Sequence, residues 1–286
     1  MRVVISEQAH GSVYKALSLL GLGKKRIEKV PSDKQGRIRV DQLPPLDETT
    51  LVILQAGHVS TGAYDDFDKV CDLAKEAHAW VHIDGAFGLW AAASSKLKHL
   101  TKGFEKADSW CADAHKTLNA PYDCGIVLCK DRQALKQAMA AEGSYLQESQ
   151  THRDGMFYTP DMSRRSRSVD LWVTLKYLGQ TGVEELVNGL VACAQEFGNL
   201  LSNTEGFLVL NEVVFNQCLV KCRTAEETTA TLTKLQASGL VWCGGTQWEG
   251  EPAIRISCCS WATTLNDVRA AVKVFDRSRR DIAEVE

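Results

Sequence analysis

Two residues stand out for the chemistry they could share. Lys116 lies in Ala112-Asp113-Ala114-His115-Lys116-Thr117-Leu118-Asn119, and Asp84 lies upstream in His82-Ile83-Asp84-Gly85-Ala86-Phe87-Gly88. Each segment follows a short apolar run, so each residue is expected where a strand ends. A lysine amine kept neutral by burial can attack an aldehyde. A buried carboxylate beside a weakly basic ring nitrogen favours the protonated ring. Taken singly, each residue has a plainer reading. A lone lysine is a solvated surface group, and an aspartate after a strand is a turn or helix-cap residue. The conjunction argues otherwise: two strand ends in order, small residues beside Asp84 and a histidine beside Lys116.

An amine and a carboxylate so disposed suit pyridoxal 5'-phosphate. The lysine forms a Schiff base with the aldehyde, and the aspartate keeps the pyridine nitrogen protonated so that the ring accepts electrons. Three more segments bear on this: Ser6-Glu7-Gln8-Ala9-His10-Gly11-Ser12-Val13-Tyr14-Lys15-Ala16, Pro121-Tyr122-Asp123-Cys124-Gly125, and the stretch from Gly57 to Asp65. With these segments in this order, the chain resembles the group II pyridoxal-phosphate-dependent amino-acid decarboxylases. That family includes the glutamate, aromatic amino-acid, histidine and cysteine-sulfinate enzymes. The resemblance runs from the first residue to about the last helix. It implies an α/β chain of the pyridoxal-phosphate-dependent transferase fold type I, with Lys116 as the Schiff-base lysine and Asp84 as the partner of the pyridine nitrogen. His10 would stack on the cofactor ring, Ala86 would pack under its other face, and His115 would lie near the phosphate and the lysine. The implied reaction is decarboxylation of an L-amino acid to the amine and CO2.

In the family a long N-terminal portion with a phosphate-binding loop precedes the stacking histidine. Here Met1 lies nine residues before His10, so the resemblance implies an N-terminally truncated member. Gly21-Leu22-Gly23-Lys24-Lys25 reads as a helix C-cap followed by a basic turn rather than as a phosphate cradle. Two alternatives stay open. One is a non-catalytic paralogue or partner subunit, and the other is a different fold type I enzyme such as an aminotransferase. The family's habit implies a homodimer, or pairing with a related chain.

The chain has 286 residues and a formal net charge of -3, with acids and bases mixed along it. That gives no electrostatic case for nucleic acid. No apolar run is long enough to span a membrane, and no signal-peptide core follows Met1. The ten cysteines sit mostly in apolar runs and form no CxxC pair, so reduced thiols, a cytoplasmic location and no metal site are expected. The basic run Ser163-Arg164-Arg165-Ser166-Arg167 reads as a helix start with solvated arginines.

The elements that must position the site alternate between strand and helix. Leu51 to Gln55 is a continuous apolar run, as in a strand covered on both faces. Tyr64, Phe67, Val70, Cys71 and Ala74 recur at helical spacing, with Asp65 and Asp66 in the first turn. Trp80 to Ile83, Ala107 to Cys111 and Cys124 to Cys129 are further strands. This rhythm predicts a mainly parallel sheet with its site at the strand carboxyl ends. Glu142 to Met162 reads as a long loop. In the family such a loop carries a tyrosine that returns a proton to the substrate carbon; Tyr158 is the candidate, with Tyr145 and His152 behind it. Ser168 to Leu201 is a long helix. Strand-like Phe207 to Val220, helical Ala225 to Ser238, strand Ala253 to Cys258 and helical Thr264 to Phe275 follow, with Thr264 and Asp267 as a capping pair. The expected division is a partial cofactor-binding large domain over 1–162, then a connecting helix and small α+β domain over 163–286. Arg255 alternates with apolar neighbours; the resemblance to fold type I enzymes, which carry a carboxylate-gripping arginine in a similar C-terminal strand, implies that role for it, and a structural salt bridge is the equal alternative.

Overall fold

The computed structural model describes residues 1–141, 143–146, 149 and 151–283. Glu142, the expected start of the long loop, lies outside the described residues. Six strands form the larger sheet: β1 (Arg2–Ser6), β2 (Ile27–Val30), β3 (Thr50–Gln55), β4 (Trp80–Asp84), β5 (Ser109–Asp113) and β6 (Gly125–Cys129). Their order is β2-β1-β3-β4-β5-β6. The first five are mutually parallel, and β6 pairs antiparallel with β5. The mainly parallel sheet expected from the strand rhythm is present.

The apolar runs explain which strands are central. In β3, Val52, Ile53 and Leu54 are all buried, as a strand covered on both faces requires. In β1, Val4 joins the main core while Val3 and Ile5 pack with Val13, Leu17 and Ile53 on the other face. Helix α1 (Gly11–Leu19) covers that second face, and Gly21 follows it with φ +75°. The left-handed glycine agrees with the C-cap reading of this segment. Helix α2 (Phe67–Glu76) buries Phe67, Val70, Cys71 and Ala74. Each large apolar side chain on that stripe contributes roughly 1.5–3 kcal/mol. The helix starts three residues later than Tyr64 because Asp65 and Asp66 have separate tasks. Asp66 is the N-cap and accepts from the Lys69 N–H at 3.2 Å. Asp65 is buried and accepts from the Ile38 and Gln55 N–H groups at 2.7 and 2.6 Å.

Beyond helix α3 (Arg132–Met139), helix α4 (Arg167–Ser202) runs between two cores and breaks at Gly179, whose φ is +61°. Its Val183, Val187 and Val191 pack on the large-sheet core, and Cys193, Ala194, Phe197 and Leu201 pack on a second core. That second core covers an antiparallel sheet of β7 (Leu208–Val209), β8 (Gln217–Lys221), β9 (Gly244–Trp248) and β10 (Glu251–Ser257), in the order β7-β8-β10-β9. Helices α5 (Ala225–Ala237) and α6 (Leu265–Ala283) complete this layer. The Thr264–Asp267 pair forms as expected: each side chain accepts from the other residue's N–H, at 2.8 and 3.3 Å. All ten cysteines are free thiols. Among the described residues no cluster of metal-ligating side chains occurs, and no helix is long and apolar enough to cross a membrane.

Candidate active site

The carboxyl ends of three parallel strands set out one row. Gln55 pairs with Asp84, and Asp84 pairs with Cys111. Sites in open parallel sheets lie at these ends because the strands stop there and loops diverge. Asp84 Oδ1 accepts from the Ala86 N–H at 3.1 Å and faces the Cys111 thiol at 3.6 Å. Burial, reinforced by the Asp84 charge, pushes the Cys111 thiol up to about 12, so it stays a neutral donor. Gly85 must be small: a Cβ there would lie 2.9 Å from the Cys111 carbonyl. Two residues upstream on the same face, the His82 Nδ1 lies 2.8 Å from Ser109 Oγ, which also accepts from the Trp80 indole at 2.9 Å. Burial lowers the His82 pKa, against the opposing pull of Asp84.

The lysine turn follows β5. Ala114 N–H donates to Cys124 O, Ala120 N–H to Ala114 O, and the buried Thr117 hydroxyl to Phe87 O. This closes the turn over the segment that follows Asp84. The Lys116 Nζ lies 2.9 Å from Asp113 Oδ2 and 4.9 Å from the centre of the Phe87 ring. Both members of the ion pair are about three-quarters buried. Lys116 and Asp84 therefore come together as the segment pattern predicts.

Both line a cavity of about 760 Å³, within the usual range for small-molecule sites. His10, Ala86, Phe87, Gln55, Cys111, Asp113 and Arg255 line it too. His10 caps α1 at the exposed rim, and its Nδ1 lies 2.7 Å from Ser12 Oγ and accepts from the Ser12 N–H. Arg255 Nη1 donates to Val59 O at 3.2 Å, while its Nε is buried without a partner. No salt bridge involving Arg255 appears among the described residues, so the structural-pair alternative lacks a partner here. The Gln55 Nε2 is likewise buried without a partner.

Four expected residues stand elsewhere. His115 is not on the cavity wall. Its Nδ1 faces the Cys124 backbone, and its ring packs against Tyr122 with centroids 4.2 Å apart. Its Nε2 still lies 3.7 Å from Asp113 Oδ2, one ion pair away from the lysine. Tyr158 is buried against α3, with its hydroxyl accepting from Arg132 and Arg153 lying over its ring. It does not line the cavity, so the proton-donor role expected of it has no geometry within this chain. Tyr145 and His152 are exposed and also absent from the walls. Conversely, Phe87, Asp113, Gln55 and Cys111 join the site without having been singled out. Each lies within, or at the end of, a segment already recognised, and that adjacency was the available signal.

An amine, a carboxylate and a histidine thus share one cavity at the strand ends of an α/β sheet. The chain belongs to the pyridoxal-dependent decarboxylase family, whose conserved domain matches residues 1–222. It is 28% identical over 287 aligned positions to an aromatic-L-amino-acid decarboxylase of Bacillus atrophaeus, covering 93% of this chain and 60% of that one. It is 31% identical over 220 positions to the human acidic amino acid decarboxylase GADL1, covering 72% and 42%. The chain thus spans about half the length of these curated relatives. Among solved structures, Oryza sativa TDC with PLP and tryptamine superposes with a TM-score of 0.89 at 21% identity, covering 98% of this chain and 63% of that one. Mouse CSAD in apo form gives 0.88 at 20%, covering 97% and 63%. At these identities the superpositions establish a shared fold.

Pyridoxal phosphate is the family's cofactor, and the donor set fits it. The cavity offers an amine for the aldehyde, a carboxylate for the ring nitrogen, and two buried, unpartnered donors, Gln55 Nε2 and Arg255 Nε.

Proposed function

We propose that this chain carries the catalytic centre for pyridoxal-phosphate-dependent decarboxylation of an L-amino acid to the amine and CO2. The observation that carries this reading is the shared cavity of Lys116 and Asp84. Lys116, Asp84, Ala86 and His10 would hold the cofactor, with His115 acting from behind through Asp113. When bound, the cofactor supplies an electron sink for the pair released from the substrate carbon.

The chain's own groups divide the remaining work. Asp84, oriented by the Ala86 N–H, would hold a proton on the ring nitrogen. Asp113 Oδ2 lies close enough to Lys116 Nζ to exchange a proton with it directly. Phe87 packs beneath that amine and limits where it can point. Val13, Leu17 and Ile53 make the adjoining wall apolar. A poorly solvating wall favours loss of a carboxylate's charge as CO2. Arg255, on β10, is the cation available to an anionic group of the bound molecule.

A cytoplasmic homodimer organised as two domains, 1–162 and 163–286, belongs to the same proposal. The ten free thiols and the separate core of the small sheet support it. Exposed Val169, Trp172, Val173 and Tyr177 on α4 offer apolar surface to a second copy.

The test is cofactor trapping. The purified chain is incubated with pyridoxal phosphate, reduced with borohydride and mapped by mass spectrometry beside Lys116→Ala. Release of labelled CO2 from carboxyl-labelled amino acids is then measured. Labelling confined to Lys116 with CO2 release supports the reading. Labelling scattered over surface lysines sinks it, and Lys116 labelling with amino transfer instead of CO2 release points to an aminotransferase.

A further inference from the structure

The lysine turn is tied to a distant part of the chain by one side chain. Asn119 lies three residues after Lys116, with φ +53°. Asparagine tolerates this left-handed backbone better than most residues. Its Nδ2 donates to Lys116 O and to Cys259 O, both at 2.6 Å. Its Oδ1 accepts from the Trp261 N–H at 2.8 Å. The Asn119 N–H adds a bond to Lys116 O at 3.2 Å. Every donor and acceptor site the amide needs for this bridge is therefore engaged.

The far end of the bridge is the loop that leaves β10. That loop is itself anchored, since the Cys258 N–H donates to Asn216 O at 2.9 Å and Asn216 Nδ2 donates to Cys258 O at 3.2 Å. Arg255 sits four residues before Cys259, within β10 and on the cavity wall. The amine of Lys116 and the guanidinium of Arg255 come from different sheets. Asn119 is the side chain that joins their supports.

We propose that Asn119 is a positioning residue that locks the lysine turn to the β10–α6 loop and so sets where the Lys116 amine stands in the cavity. This rests on the reading of Lys116 as the cofactor lysine. Asn119 touches neither cofactor nor substrate in this scheme. It acts through the Lys116 carbonyl and through the loop beyond Arg255.

Asn119→Gly tests this cleanly. Glycine keeps the left-handed backbone without strain and removes all three side-chain bonds. Asn119→Asp keeps the acceptor for Trp261 and loses both donated bonds. The first measurement needs no cofactor: hydrogen exchange at the Trp261 amide is expected to speed up in Asn119→Gly and to stay slow in Asn119→Asp. The second compares two ligands. The rate of borohydride-trappable labelling at Lys116 by pyridoxal phosphate is expected to fall roughly 10- to 100-fold in both variants, as small misplacements of reacting groups do. Affinity for 4'-deoxypyridoxine phosphate, which has no aldehyde to capture, is expected to stay within about twofold of wild type, well under a 1.4 kcal/mol change.

Unchanged Trp261 exchange, or an unchanged labelling rate, overturns the proposal. Equal losses of labelling and of deoxypyridoxine phosphate affinity also overturn it, because the side chain would then hold the whole cavity rather than the amine. A wild-type chain that never labels at Lys116 sinks the functional reading and the positioning role with it. The exchange result still decides independently whether the lock exists.

Discussion

Two segments of this chain carry the same residue types and use them in opposite ways. At the ends of β4 and β5, Asp84, Asp113 and Lys116 face a cavity and keep bonding capacity in reserve. Asp84 has one backbone N–H and one weak thiol donor, and Lys116 has one carboxylate. In the turn from Gly57 to Asp65, histidine and aspartate face the backbone. Asp65 takes one amide from β3 and one from Ile38. His58 Nδ1 accepts from the Ser60 and Thr61 N–H groups at 3.2 and 3.3 Å. The difference teaches that a titratable residue in a recognised motif is not thereby a reactive one. What decides is whether its polar atoms meet the chain or the cavity.

The sharpest way to break the comparison is Lys116→Ala. Cofactor trapping is expected to fall to background and CO2 release by about 10⁴-fold or more, the scale seen when a nucleophile is deleted. Retained trapping at another lysine would dissolve the distinction between the segments. Asp84→Asn comes next. It keeps an acceptor for the Ala86 N–H but removes the charge. CO2 release is expected to drop roughly 10²- to 10⁴-fold, while the urea midpoint stays near wild type. A large loss of stability would move Asp84 to the structural side.

Asp65→Ala makes the reverse claim. It orphans two buried amides at roughly 1–3 kcal/mol each, so the urea midpoint is expected to fall sharply while the remaining folded protein still captures cofactor. Loss of capture without loss of stability would contradict the assignment.

The smallest effect is in pH. Burial raises the Asp65 carboxyl to about 6 and lowers the His58 imidazole to about 4. Folded Asp65 keeps its proton to higher pH than the unfolded chain does. Its contribution to stability therefore declines as pH rises from about 4 to about 6. Folded His58 refuses a proton that the unfolded chain accepts, so its contribution grows from about pH 4 to about 6.5. The two slopes oppose one another within one turn. Asp65→Asn is expected to leave stability rising with pH over that window, and His58→Gln to leave it falling. Each slope is at most about 1.4 kcal/mol per pH unit. Urea midpoints measured across the window check both signs, and parallel slopes in the two variants would refute the offset.

Much of the scaffold was legible along the chain. The apolar run of β3, the Trp80–Asp84 strand and the span of α4 lie within a residue or two of expectation. Local pattern misled where tertiary bonds intervened. β5 begins at Ser109 rather than Ala107, and it continues to Asp113 because the antiparallel partner β6 extends the ladder that far. The helix expected from Tyr64 starts at Phe67 because Asp65 is drawn into the core. β1 and β9 were not anticipated. β1 is five residues long and sits at the chain start, and β9 (Gly244–Trp248) is rich in glycine and polar residues and is held by pairing with β10.

By itself the sequence pointed to the family and singled out Asp84 and Lys116 as the pair to look for. Strand ends and small flanking residues are local properties, and local order placed Asp84 and Lys116 at neighbouring strand ends. Only the tertiary structure decided which neighbours share their cavity. Gln55 and Cys111 join through strand register, and Arg255 arrives on the other sheet. Tyr158 goes to Arg132, and Asn119 reaches Cys259 and Trp261 across 140 and 142 residues. Those outcomes depend on contacts between residues far apart in the chain, and no periodicity or motif spacing encodes them.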